Sequence, residues 1–189
     1  MKLIFLISLL TFLPLANAIA GKFDIMGGAY SISAKVGETS QTISGLGAYR
    51  FSYLQPFSKN FELVAAYNLS FSSVVTGDSA FGFDVGANYF PFNFANKTSI
   101  KVQDLSVEQY DLWKPYGGMT FSQRQYSSVK NGYAGFGLQI GTEYYLNRDI
   151  SFKSEVRYIS MGGSGNSTAN DINIMAGVVF YSFFGSKGL

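Results

Sequence analysis

The sequence predicts an all-β chain: an eight-stranded antiparallel up-and-down transmembrane β-barrel with a polar lumen and an apolar, lipid-facing exterior. Three observations predict it. Apolar and polar residues alternate with period two in segment after segment from Phe23 to Phe184, the spacing of a strand with two unlike faces. Aromatic residues make up 17% of the chain and charged residues only 14%, against about a quarter charged in an ordinary soluble domain. Beyond the first 18 residues no apolar run is long enough for a spanning helix, which leaves the closed barrel as the way to satisfy backbone polar groups in lipid.

The first 18 residues read as a secretory signal peptide. Met1-Lys2 gives a short basic start, Leu3 to Leu15 an apolar stretch, and Ala16-Asn17-Ala18 a small-residue cleavage site. Cleavage is expected after Ala18, or after Ala20, since Ala18-Ile19-Ala20 also fits. Residues 19–189 then form one barrel domain. Without Lys2 this domain carries 13 Lys and Arg against 12 Asp and Glu, a net charge of about +1. No basic stripe marks a nucleic-acid partner. The absence of Cys excludes disulfides and thiolate metal sites.

Eight strand-like segments follow in order, each bounded by turn-forming residues. They are Lys22 to Lys35, Gln41 to Tyr53, Phe61 to Ser73, Phe81 to Phe90, Trp113 to Arg124, Tyr133 to Leu146, Ile150 to Ser160 and Ile172 to Phe184. Most are near the length a tilted spanning strand needs. The third sets Phe61, Leu63, Ala65, Tyr67, Leu69 and Phe71 against Glu62, Val64, Ala66, Asn68, Ser70 and Ser72. The fourth sets Phe81, Phe83, Val85, Ala87 and Tyr89 against Gly82, Asp84, Gly86 and Asn88, and the sixth opposes Phe136, Leu138 and Ile140 to Gly135, Gly137, Gln139, Gly141 and Glu143. In the seventh, Ile150, Phe152, Val156 and Tyr158 oppose Ser151, Lys153, Glu155 and Arg157. The first, second and fifth alternate less regularly.

The polar face is mostly Gly, Ser, Asn and Gln with isolated charges, a thin coat for water but a good filling for a narrow lumen. With the opposite facing, Lys153 and Arg157 would each cost roughly 2–4 kcal/mol at mid-bilayer. Aromatics gather at segment ends. Tyr53, Phe57, Phe61, Tyr89, Phe90, Phe92, Trp113, Tyr144, Phe152, Phe180 and Phe184 are expected toward one rim, and Phe71, Phe81, Phe121, Tyr126 and Tyr133 toward the other, as two interfacial girdles.

The signal peptide, the eight amphipathic segments, the tight turn Asn147-Arg148-Asp149, the strand start Lys114-Pro115-Tyr116-Gly117-Gly118 and the aromatic-rich last strand together resemble the small eight-stranded outer-membrane barrels of Gram-negative bacteria, the OmpA transmembrane-domain and OmpX-like group. The resemblance covers nearly the whole mature chain. It implies periplasmic termini, contact with outer-membrane lipid and lipopolysaccharide, a monomer, and a last strand read by the barrel-assembly machinery. Gly177, Phe180, Phe183 and Phe184 resemble that assembly signal, although the chain ends Gly185-Ser186-Lys187-Gly188-Leu189 rather than on an aromatic. With periplasmic termini, Val36 to Ser40, Val74 to Ala80, Gln125 to Gly132 and Met161 to Asp171 become external loops. Leu54 to Asn60, Pro91 to Leu112 and Asn147 to Asp149 become periplasmic connections, the long one holding a short helix or extending the flanking strands.

The chain has no His, the residue on which proton transfer in small barrel enzymes relies. No catalytic residue, no metal ligand and no cofactor is therefore expected. Gly135-Phe136-Gly137 with Gly141 lacks the strand-to-helix setting of a dinucleotide fingerprint and is read as making room for bulky lumen neighbours. The candidate site is instead a lumen charge network of Arg50, Glu62, Asp84, Glu143, Lys153, Glu155 and Arg157. A hairpin centred on Arg148 places Glu143 opposite Lys153 and Gln139 opposite Arg157, and one centred on Pro56 places Arg50 opposite Glu62. The expected function is that of a non-enzymatic outer-membrane barrel with a salt-bridged, plugged lumen and a structural or surface-interaction role. The alternatives are a narrow small-solute channel and a soluble periplasmic lipid-binding barrel.

Overall fold

Each alternating segment finds a hydrogen-bonded neighbour on both sides, and the last pairs with the first. In the computed structural model the described residues are 21–71, 79–92, 98–102, 105–109, 113–127, 132–147 and 149–181. The strands are β1 (Lys22–Val36), β2 (Thr39–Pro56), β3 (Phe61–Phe71), β4 (Ser79–Tyr89), β5 (Thr98–Val102), β6 (Leu105–Gln109), β7 (Trp113–Tyr126), β8 (Gly132–Tyr145), β9 (Ile150–Gly163) and β10 (Ser167–Phe180). Eight of them close a barrel in the order β1-β10-β9-β8-β7-β4-β3-β2, every pair antiparallel. The signal-peptide residues and Phe183 and Phe184 lie outside the described residues.

The stagger of the barrel follows from its registers. A walk along paired residues from Ile32 passes Asp171, Ile159, Gly137, Thr120, Gly86, Val64 and Leu54 and returns to β1 at Lys22, ten residues lower. Closure with such a stagger tilts the strands, typically by 35–45°. Every residue on that walk faces the lumen, because pairing preserves the face.

Several strands run past their sequence-predicted ends. Met161 to Asp171, expected as an external loop, is instead the end of β9, a turn at Ser164, Gly165 and Asn166, and the start of β10. Gly165 and Asn166 both adopt positive φ, which these residue types tolerate at turns. Val36 to Ser40 likewise shrinks to the two-residue turn Gly37-Glu38, with Gly37 at φ 60°, the glycine-first form that suits a tight hairpin.

The irregular second segment has a local cause. Gly28 pairs with Ala48 but Tyr30 with Gly45, so Leu46 and Gly47 form a bulge on β2. The extra residue switches facing parity: Ile43 and Gly45 lean inward before it, and Ala48, Arg50 and Ser52 are buried after it.

Among the described residues, the long connection holds neither the expected helix nor extensions of the flanking strands. Its β5 and β6 form a separate two-stranded antiparallel sheet, on the connection that leaves β4 at the end of the barrel bearing both termini.

Candidate functional site: a lumen filled by paired charges

Among the described residues, period-two alternation delivers five cations and six carboxylates to the barrel interior: Lys22, Arg50, Arg124, Lys153 and Arg157 with Asp24, Glu62, Asp84, Glu143, Glu155 and Asp171, all buried. Outside, Phe83, Val85, Met119, Phe136, Leu138, Ile140 and Ile174 are exposed. Polar-in and apolar-out is the facing of a lipid-embedded barrel and the reverse of a soluble lipid carrier.

The charges form layers along the axis. At the end bearing the termini, Lys22 pairs with Glu62 at 2.8 Å and lies 3.6 Å from Glu143. Glu143 also accepts hydrogen bonds from Ser151 Oγ (2.5 Å) and the Tyr181 hydroxyl. Above them Arg50 binds Glu155, which accepts a further bond from the Tyr116 hydroxyl at 2.8 Å. Lys153 pairs with Asp24 at 2.9 Å, its Nζ 5.1 Å from the Tyr116 ring centroid. Higher still, Asp84 pairs with Arg157 and with Arg124, the latter at 2.6 Å, while Arg157 also donates to Asn68 at 2.9 Å. Asp171 completes this layer 3.8 Å from Arg124.

Barrel order shows what these bonds do. From β9, both β2 and β4 are three places away around the wall and β3 is four, so Arg50–Glu155, Asp84–Arg157 and Asn68–Arg157 cross the lumen. Cross-lumen bonds fill the axis of a barrel this narrow, which has room only for its own side chains.

Beyond the charges the lumen becomes apolar. Tyr30, Ile32, Ala80, Tyr126, Tyr133, Ile159, Met161 and Ala169 are buried together toward the end opposite the termini, in a cluster that continues down the lumen to Met175, Ala48 and Met26. There the outer wall turns polar, with Thr42, Ser160, Thr168 and Asn170 exposed. This end has the facing of a soluble barrel. The strand lengths agree: the 14 residues of β9 rise about 35 Å at a tilt of about 40°, more than the apolar band of about 25 Å.

All seven candidate charges line the lumen, but their partners differ from the hairpin arithmetic. Glu143 stands opposite Lys153 in the ladder, and Gln139 opposite Arg157, yet the Lys153 ammonium goes to Asp24. Arg50 is not opposite Glu62. It pairs with Asn68, while Pro56 pairs with Glu62. The turn is Phe57 to Asn60, where Ser58 Oγ accepts from the N–H groups of Asn60 and Phe61. Pro56 therefore ends a strand, a place that tolerates its missing donor.

Three aromatics also move from girdle to interior. Tyr126 and Tyr133 point into the lumen, as does Phe90, whose ring lies 5.9 Å from Lys22 Nζ and 5.8 Å from Lys114 Nζ. Phe61 with Tyr89 (4.9 Å) and Trp113 with Tyr144 (4.8 Å) do meet on the outer wall at the rim near the termini. Gly141 makes room for Tyr116, but at Gly135 a Cβ would meet the Ser160 carbonyl at 1.9 Å, so there the close neighbour is backbone.

Sequence reasoning missed Lys22, Asp24, Arg124 and Asp171. Lys22-x-Asp24-x-Met26 and Asp171-x-Asn173 carry the alternation, but the first sits in one of the less regular segments and Asp171 falls in an expected loop. Of the assembly-signal residues, Gly177 pairs with Met26 and Lys153, and Phe180 closes β10 opposite Phe23 and Ile150.

A closed antiparallel barrel of eight tilted strands with an apolar belt and a polar, filled lumen is the fold of the small outer-membrane β-barrels. Solved structures share it. Neisserial surface protein A (NspA) superposes with a TM-score of 0.58 at 15% identity, covering 85% of this chain and 96% of that one. The N-terminal β-barrel domain of Pseudomonas aeruginosa OprF gives 0.50 at 12% identity, with 84% and 96% covered. At these identities the likeness is one of fold. No known protein-family model matches the chain, and no curated protein matches it in sequence.

Proposed function

We propose that this protein is a non-enzymatic integral outer-membrane barrel whose lumen is a permanent plug and whose role is structural or surface-interacting. The observation that carries the reading is the set of ion pairs and hydrogen bonds between strands three and four places apart around the wall, Arg50–Glu155, Asp84–Arg157 and Asn68–Arg157. A solute path along the axis would have to break all three, each buried, the Arg50–Glu155 pair through two hydrogen bonds and the other two through one each. The apolar stopper beyond them supports the same reading. Catalysis finds no support among the described residues: the buried carboxylates are engaged with cations, and the chain has no His.

With the termini periplasmic, the end with apolar interior and polar outer wall projects from the membrane. That end is where surface interaction belongs in this reading. The lipid contact, the assembly-machinery contact at Gly177, Phe180, Phe183 and Phe184, and the monomeric state follow from it. Fractionation of the expressing cell, with boiled and unboiled samples compared on a gel, tests it: the reading expects an outer-membrane band whose mobility shifts on boiling. A soluble fraction, or a band insensitive to heat, counts against it.

A further inference from the structure

The β5–β6 hairpin forms a sheet of its own, apart from the barrel. Its register pairs Ile100 with Val107 and Val102 with Leu105, alternating with Ser99–Glu108 and Lys101–Ser106. Positions 100, 102, 105 and 107 therefore share one face and 99, 101, 106 and 108 the other. By sequence and register the hairpin is amphipathic, and among the described residues neither of its strands pairs with a barrel strand. A two-stranded hairpin standing alone in water is marginal, so its apolar face calls for a cover.

Tether lengths say what cover is in reach. Four chain steps separate Gln109 from Trp113 and six separate Phe92 from Thr98. At about 3.5 Å per residue the base of the hairpin lies within about 14 Å of Trp113. Trp113 is on the outer wall, 58% exposed and packed on Tyr144, and Phe92 is 56% exposed, so the hairpin hangs from the aromatic rim where membrane meets water. The lumen mouth beside it is already occupied. Lys22 and Lys114 lie over Phe90, Lys22 also over Tyr181 and Lys114 over Tyr145, and the Tyr145 and Tyr181 rings stack at 5.5 Å.

We propose that β5–β6 is an interfacial β-hairpin that rests on the periplasmic leaflet, with the face bearing positions 100, 102, 105 and 107 turned into phospholipid. The proposal rests on the reading of the barrel as membrane-inserted. It gives the barrel a lateral foot that fixes its depth and tilt, in the manner of amphipathic segments that lie in the interface.

The lack of cysteine makes the test clean. Full-length chains carrying Val107→Cys, Ser106→Cys or Leu138→Cys are labelled with a nitrobenzoxadiazole dye. They are refolded into phosphatidylethanolamine and phosphatidylglycerol vesicles with plain or brominated acyl chains. Leu138 is on the exposed wall of β8 and reports insertion of the barrel itself. The expected result is loss of emission to brominated lipid at 138 and 107, with a blue shift at 107 and neither effect at 106. Quenching at 138 with none at 107 overturns the proposal, whether 107 reports water or a bromine-insensitive apolar cover such as a second copy. No quenching at 138 overturns the barrel reading and this proposal with it. Ile100→Cys and Lys101→Cys provide a second pair should the first refold poorly, with the same two outcomes.

Discussion

Lys153 on β9 and Asp24 on β1 form an ion pair of 2.9 Å inside the lumen, with β10 between their strands. Asp24 also lies 3.7 Å from Arg50, so one carboxylate faces two cations. Removing one partner of a buried pair leaves an uncompensated charge, at a cost of about 3–5 kcal/mol. Asp24→Asn is expected to lower the urea midpoint of unfolding from lipid vesicles accordingly. Trp113, the lone tryptophan, reports the transition by fluorescence, and an unchanged midpoint would deny the pair a stabilising role.

Arg50 and Glu155 are expected to be coupled rather than independently stabilising. Arg50→Met and Glu155→Leu should each destabilise strongly, since each strands the other charge. The double variant should recover much of the loss, because an apolar pair of similar volume needs no compensation. Strictly additive losses in the same unfolding assay would refute the coupling.

Much of the fold was legible because a lipid-facing wall and a packed lumen impose opposite demands on alternate residues. Glu62, Asp84, Gln139, Glu143, Lys153, Glu155 and Arg157 all announced their facing by position. Legibility ended where the wall leaves the membrane. Ile159 and Met161 point inward and Ser160 outward, inverting the chemistry while keeping the period, so β9 and β10 were cut short and Asp171 was lost to a loop. The bulge at Leu46 and Gly47 hid β2 in another way, by reversing parity inside one strand. Ion-pair partners were the least legible: ladder register names the neighbour along the wall, whereas long side chains choose partners across the lumen.

Backbone crowding makes Gly135 irreplaceable where Gly162 is not. A Cβ at Gly135 would lie 1.9 Å from the Ser160 carbonyl, while one at Gly162 meets nothing within 4 Å. Gly135→Ala is expected to cost about 1–3 kcal/mol through forced displacement of the neighbouring strand, and Gly162→Ala close to nothing. The temperature at which the gel mobility changes on heating separates them; equal temperatures would contradict the packing.

The outer wall should tolerate charge according to height. Leu138→Lys places a cation on the apolar belt at a cost of roughly 2–4 kcal/mol near mid-bilayer. Ser160→Lys, on the polar end of β9, is expected to be nearly neutral. Folding yield into vesicles measures both, and a Ser160→Lys yield as poor as that of Leu138→Lys would place the polar end inside the membrane.

The plug itself is tested most directly by electrical recording from the full chain reconstituted in a planar bilayer. A permanent plug predicts a silent bilayer, with protein shown to be inserted by its heat-shifted gel band. Discrete conductance steps that vanish when Glu143 and Lys153 are neutralised would contradict it and establish a narrow channel instead.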